Sequence, residues 1–141
     1  MSATRQLVFS IKFSFGGLIH NMKKLYPTTH GILDYVTVLF LLVSPSLFGI
    51  ETPGSHLSYA LAIVHLLMTF ATDFPAGALK IIPLRIHGLI EVIVSIGLLA
   101  AAISFRILGY PVSFYFFLVF SVSLFIVWTV SEYRMSVRTT S

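Results

Sequence analysis

The chain has 141 residues, 57% hydrophobic and 10% charged, with a mean hydropathy of +0.95 and a formal net charge of +4. A soluble domain carries about 25% charged residues, so a fold of this size in water has no means of hiding so much apolar surface, and the expected solvent is lipid. The absence of cysteine removes disulfides, thiolate metal sites and cysteine nucleophiles. No basic stripe interleaves with aromatic residues, so nucleic acid is not an expected partner.

Residues 1–27 form the first segment. Its apolar stretch Leu7–Ile19 is broken by Lys12, is too short to span, and carries no small-residue cleavage site, so a secretory signal is not expected. Phe9, Ile11, Phe13 and Phe15 alternate with Ser10, Lys12 and Ser14, a pattern that suits a membrane surface. Met22 followed by Lys23 and Lys24 offers a second reading, in which the preceding residues are an upstream extension.

Residues 28–141 contain four apolar segments, about 30–50, 55–72, 84–105 and 112–131. Each approaches the ~20 residues that a helix needs to cross a bilayer core. A spanning barrel would need many more, alternating strands. Tight turn signals at Glu51-Thr-Pro-Gly-Ser and Gly109-Tyr-Pro join the first to the second and the third to the fourth, and Phe74-Pro75-Ala76-Gly77 opens the middle loop. The expectation is an all-α membrane protein of four transmembrane helices arranged as two tandem hairpins.

Eight of the nine Lys and Arg residues fall on one side of this arrangement, among them Lys23, Lys24, Lys80, Arg85, Arg134 and Arg138; Arg106 stands alone on the other. Short loops rich in Lys and Arg stay inside, which places both termini in the cytoplasm of a bacterial inner membrane. Tyr26, Tyr59, Tyr110, Trp128 and Tyr133 fall near the expected interfaces.

His30-Gly31-Ile32-Leu33-Asp34 and His87-Gly88-Leu89-Ile90-Glu91 copy each other 57 residues apart, and Leu41, Leu42, Phe48 and Ile50 align with Leu98, Leu99, Phe105 and Ile107 at the same offset. The two hairpins are therefore expected to be related by a pseudo-two-fold axis along the membrane normal. His30-Gly-Ile-Leu-Asp34-Tyr, Ser44-Pro45-Ser46-Leu47-Phe48-Gly49, Thr72-Asp73 and Ile82-Pro83-Leu84-Arg85-Ile86-His87, in that order, resemble the SPW repeat membrane proteins over about residues 30–107. The resemblance implies a small bacterial integral membrane protein and supplies no activity. Ser46 stands where that family has its name-giving Trp, and the second copy reads Ala101-Ala102-Ile103. Ser44, Pro45 and Gly49 are expected to be structural, the proline bending or ending the span and the glycine finishing the turn.

The remaining polar residues are concentrated. A histidine and a carboxylate four apart share one helix face, and ionisable groups at membrane depth are costly. His30, Asp34, His65, Asp73, Arg85, His87 and Glu91 all fall toward the inner leaflet. In the structural reading, Arg85 and Lys80 neutralise the carboxylates, the histidines bond their i+4 acids, and the network docks the hairpins of a non-enzymatic accessory or assembly subunit. In the second, the cluster handles a metal ion, a haem or protons, with His30, Asp34, His87 and Glu91 as candidate metal ligands. In a third, an oligomer transports a small solute. The sequence itself calls for no cofactor and for no partner beyond the bilayer, a second copy or a membrane complex. It contains no Gly-rich phosphate loop and no HExxH motif. Gly97 and Ala100–Ala102 are expected at a close helix contact, the Phe114–Phe125 run toward lipid or another subunit, and His20 and His56 at the surface.

Overall fold

The structure, a computed structural model, describes residues 25–133. His20, Arg134, Arg138 and most of the 1–27 segment lie outside the described residues. Four helices follow in order: α1 (Pro27–Phe48), α2 (Thr52–Ala71), α3 (Leu84–Ile107) and α4 (Pro111–Val130). All four are long and apolar enough to cross a membrane. Between α2 and α3, β1 (Thr72–Asp73) and β2 (Ile82–Pro83) pair in parallel.

The helices start where proline allows. α1, α2 and α4 each carry a proline at the first or second helical position, where a missing N–H is one of the orphan donors in any case. α1 and α2 therefore begin three residues before the apolar runs do. α1 ends at Gly49, whose φ of 62° no β-carbon opposes and whose N–H reaches Pro45 O.

Pro45 sits inside α1 without breaking it. Having no N–H, it leaves the carbonyl of Leu41 without its helical partner, and in an apolar environment that group must be satisfied. Ser58 of α2 donates to Leu41 O at 2.8 Å, and Ser44 donates to the same oxygen at 3.2 Å. The proline thus creates an acceptor that ties α1 to α2. In the second hairpin Ser121 of α4 donates to Ser95 O of α3 at 2.7 Å.

Packing runs mainly within hairpins, α1 on α2 and α3 on α4. The core of the second hairpin is Leu98, Ala102, Phe105 and Phe117. Phe117, expected to face lipid, is instead fully buried, stacked on Phe105 with ring centroids 5.5 Å apart. Gly97 and Ala100 are exposed, Gly97 with open space around it; of the expected small residues Ala102 is fully buried and Ala101 packs partly buried against the same core. Elsewhere the outward surface is a coat of Leu, Ile, Val and Phe side chains, which suits lipid and not water.

Burial repeats between hairpins. His30, Gly31, Asp34, Val38, Leu41 and Pro45 are buried on α1, and so are His87, Gly88, Glu91, Ser95, Leu98 and Ala102, each 57 residues on. Gly54, Ser58 and Ala62 are buried on α2, as are Ser113, Phe117 and Ser121, 59 residues on. The offset changes because α3 has 24 residues and α1 has 22. The chain entries match too: Ile82, before α3, pairs with Thr72, and Leu25, before α1, pairs with Ser131.

At one end of the bundle the hairpins meet through these two bridges and a polar cluster. At the other, the Glu51 carboxylate accepts from Val112 N at 3.0 Å, from Ser113 N at 2.8 Å and from the Ser113 hydroxyl, capping the start of α4. Between the two ends α1 and α4 leave an apolar groove lined by Phe40, Phe48, Phe116 and Phe120.

Candidate metal centre

His30 and Asp34 lie one turn apart on α1, and His87 and Glu91 one turn apart on α3. All four are buried, between 0% and 3% exposed. One donor atom from each falls within 4.8 Å of all the others. His65, from α2, joins them: its Nε2 is 3.5 Å from Asp34 Oδ1. His30 Nε2 lies 3.6 Å from Asp34 Oδ1 and 3.4 Å from Glu91 Oε1. His87 Nε2 lies 3.5 Å from Asp34 Oδ2 and 3.7 Å from Glu91 Oε1.

These separations are too long for hydrogen bonds. They do match the edge of a ligand polyhedron, since donors about 2.1 Å from one ion stand roughly 3.4 Å apart in a tetrahedron. His30 Nε2, His65 Nε2, His87 Nε2, Asp34 Oδ2 and Glu91 Oε1 are all buried and have no hydrogen-bond partner. Buried polar atoms are ordinarily paired; here His30, Asp34, His87 and Glu91 bring one donor atom each within 4.8 Å of one another, and the His65 Nε2 atom lies beside Asp34.

The opposite atoms of these side chains are held. Thr72 donates its hydroxyl proton to Met68 O at 2.6 Å, so at the 2.8 Å contact with His87 Nδ1 it can only accept. Ser131 likewise donates to Val127 O at 2.7 Å and accepts from His30 Nδ1 at 2.9 Å. Both contacts place the proton on Nδ1 and leave Nε2 of a neutral ring as a bare lone pair aimed at the cluster. Tyr133 donates to Glu91 Oε2 at 2.6 Å, which leaves Oε1 free. This arrangement, with the outer nitrogen tied and the inner one open, is how metal-binding histidines are oriented. Burial, followed by the nearby Glu91 carboxylate, pushes the Tyr133 phenol well above its ordinary pKa, so it stays a donor.

Each histidine takes its hydroxyl from the other hairpin, whereas each glycine receives a ring from its own. Beside Gly31 lies the Phe74 ring, and beside Gly88 the Tyr133 ring; a β-carbon at either glycine would collide with it. The aromatic pair thereby closes the end of the site. Phe74 packs edge-on to His87 and Tyr133 to His30.

Of the remaining residues singled out in the sequence, Arg85 and Lys80 are exposed, and Asp73 is half-buried in β1, outside the cluster. Among the described residues every ion pair joins a histidine to Asp34 or Glu91, and none uses Arg or Lys. The expected neutralisation by Arg85 and Lys80 is thus not made; among the described residues the two buried carboxylates have imidazoles beside them and, for Glu91, the Tyr133 hydroxyl. His56 is exposed, as expected. A haem fits this geometry poorly. Both Nε2 atoms approach Glu91 Oε1, so the two rings converge on one point instead of facing each other across a macrocycle.

Thr72, Phe74, Ser131 and Tyr133 escaped the sequence reading. The signal was present: Thr72-Asp73-Phe74 and Ser131-Glu132-Tyr133 repeat hydroxyl, acid and aromatic 59 residues apart. Comparison with family models, curated proteins and solved structures finds no match to this chain.

Proposed function

We propose that the chain is a multi-pass membrane protein whose two fused hairpins, related by a pseudo-two-fold, hold one divalent transition-metal ion at their seam. His30, Asp34, His87 and Glu91 are the ligands from the repeated halves, and His65 of α2 stands beside them against Asp34. The observation that carries this reading is the convergence of His30, Asp34, His87 and Glu91, each buried and each with a donor atom that has no hydrogen-bond partner among the described residues, with one donor atom from each within 4.8 Å of the others. Electrostatics supports it. Two buried carboxylates with no Lys or Arg partner among the described residues are costly in a low-dielectric setting, and a dication cancels both charges. Imidazole and carboxylate donors suit zinc, iron, manganese or cobalt. The pseudo-two-fold draws on the repeated burial pattern and on the paired hydroxyl and aromatic positions.

A second reading, a structural network in an accessory or assembly subunit, draws on the Ser131–His30, Thr72–His87 and Tyr133–Glu91 bonds, but leaves the facing imidazole and carboxylate atoms, 3.4–3.7 Å apart, without hydrogen bonds of ordinary length. Membership of the SPW repeat family, a bacterial inner-membrane location and cytoplasmic termini belong to the same proposal. They are supported by the motif order and the one-sided Lys and Arg distribution. On that orientation the metal lies near the inner leaflet, beneath the Phe74 and Tyr133 rings.

The test is elemental analysis of protein purified in detergent after growth with supplemented metals. Stoichiometric metal is expected in the native chain, with loss in His87→Ala and a lower thermal midpoint in both His87→Ala and chelated protein. A metal-free native chain whose melting is indifferent to added zinc, iron, manganese and cobalt would refute the proposal. Because the chain has no cysteine, single cysteines placed at Thr52 and Ser131 report the orientation by reagent access from each side.

A further inference from the structure

The duplicated halves account for His30, Asp34, His87, Glu91, Thr72, Ser131, Phe74 and Tyr133. Two buried or nearly buried polar side chains of α2 are left over, His65, which touches Asp34, and Thr69 on the same helix face. Their counterparts on α4, at the offset of 59, are the apolar Leu124 and Trp128. The polarity of the α2 side therefore is not required by the scaffold the two hairpins share. His65 is also the most open donor, with 12% of its side chain exposed against at most 4% for the other four.

Thr69 lies between His65 and Thr72 on one face of α2, four residues after the first and three before the second. Both neighbours touch the cluster, through Asp34 and His87. Thr69 is fully buried, and its hydroxyl has no partner among the described residues. The other buried hydroxyls, Ser44, Ser58, Thr72, Ser95, Ser113 and Ser121, all have one. A helical threonine has an easy escape, a bond to the carbonyl four residues back. Thr72, Ser104, Ser123 and Ser131 take it, and Thr69 does not. Leaving a buried hydroxyl unpaired is costly, so its burial without a partner among the described residues points to something that receives its proton.

Resting on the metal reading above, we propose that the α2 side of the centre is an exchangeable coordination position for a small oxygen or nitrogen ligand of the size of water or hydroxide. Thr69 donates a hydrogen bond to the ligand atom on the metal. Such an open position is what distinguishes a reactive metal site from a closed structural one. Thr69 acts on the bound ligand and not on the ion, so removing its hydroxyl leaves metal occupancy intact.

The probe is azide, titrated into the full-length protein loaded with cobalt(II), with the visible spectrum as readout. A saturable spectral change is expected. Thr69→Val is expected to weaken azide binding about tenfold, the loss of one hydrogen bond near a charge, at unchanged cobalt stoichiometry, while Thr69→Ser retains native affinity. A cobalt-loaded protein whose spectrum ignores azide overturns the open position while leaving the metal centre standing. Equal azide affinity in Thr69→Val and the native chain overturns the role of Thr69. Failure to take up cobalt at all overturns the metal reading, and this inference with it.

Discussion

Ser131, just past the end of α4, accepts the Nδ1 proton of His30, in the first turn of α1, at 2.9 Å. Thr72, just past the end of α2, does the same for His87, in the first turn of α3, at 2.8 Å. The hairpins therefore exchange hydroxyls, each fixing the imidazole of the other. Outer contacts of this kind orient a ligand, and their loss costs about 10–100-fold in metal affinity. Thr72→Val and Ser131→Ala are each expected to weaken zinc binding by that amount, measured by competition with a chromophoric chelator. Thr72→Ser is expected to bind zinc like the native chain.

The two glycines of the repeated His-Gly pairs make a steric prediction. A methyl group at Gly88 meets the Tyr133 ring, and one at Gly31 meets the Phe74 ring. Overpacking of this sort costs about 1–3 kcal/mol. Gly88→Ala and Gly31→Ala are each expected to lower the thermal midpoint in detergent, whereas alanine at the open, exposed Gly97 is expected not to lower it.

Tyr133 gives Glu91 its only hydrogen-bond partner among the described residues. Tyr133→Phe keeps the ring over Gly88 and frees Glu91 Oε2. A hydrogen bond to a charged group is worth about 1.5–3 kcal/mol, and a loss of that order is expected in the unfolding free energy. The phenol is held above its ordinary value in the folded chain, so its contribution is complete below the unfolded value near 10 and is lost as pH rises beyond it. Tyr133→Phe is expected to remove that alkaline loss of stability.

Glu51 works at the opposite end. Burial alone would raise its pKa, but the bonds from Ser113 Oγ, its own backbone, Ser113 N and Val112 N together hold the carboxyl below the usual range. A carboxylate whose folded pKa is depressed stabilises fully above its unfolded value, near 4.5, and that stabilisation is lost as pH falls through the lower folded value. Melting followed from pH 6 downward is expected to decline in the native chain and to decline less in Glu51→Gln, which begins from a lower midpoint.

The four helices were legible because length and hydropathy alone mark helices in an apolar chain, and because Gly49, Pro53 and Pro111 mark the turns within the hairpins; Pro27, outside the apolar run, starts α1 three residues before the expected position. His30, Asp34, His87 and Glu91 were legible because a strict offset of 57 repeats them. The two extra residues of α3 shift the second helices to an offset of 59, which hid Thr72-Asp73-Phe74 behind Ser131-Glu132-Tyr133. Arg85 and Asp73 misled because nearness in sequence to His87 and Thr72 does not fix direction. Arg85 follows Leu84 on α3 but points to the exterior, and Asp73 stands beside Thr72 in a strand, where neighbours face opposite ways. Phe117 misled because an unbroken aromatic run carries no period from which an inward face can be chosen.

The exchange of hydroxyls between hairpins bears on how such a molecule is completed. On the metal reading, neither half alone owns a finished set of ligands: each brings one repeated histidine, one acid and the latch for its neighbour's ring, and the first half adds His65. Loading at the seam has to await the meeting of both halves, so occupancy would certify a finished bundle and ion removal would loosen one end while the Glu51 staple keeps the other fastened.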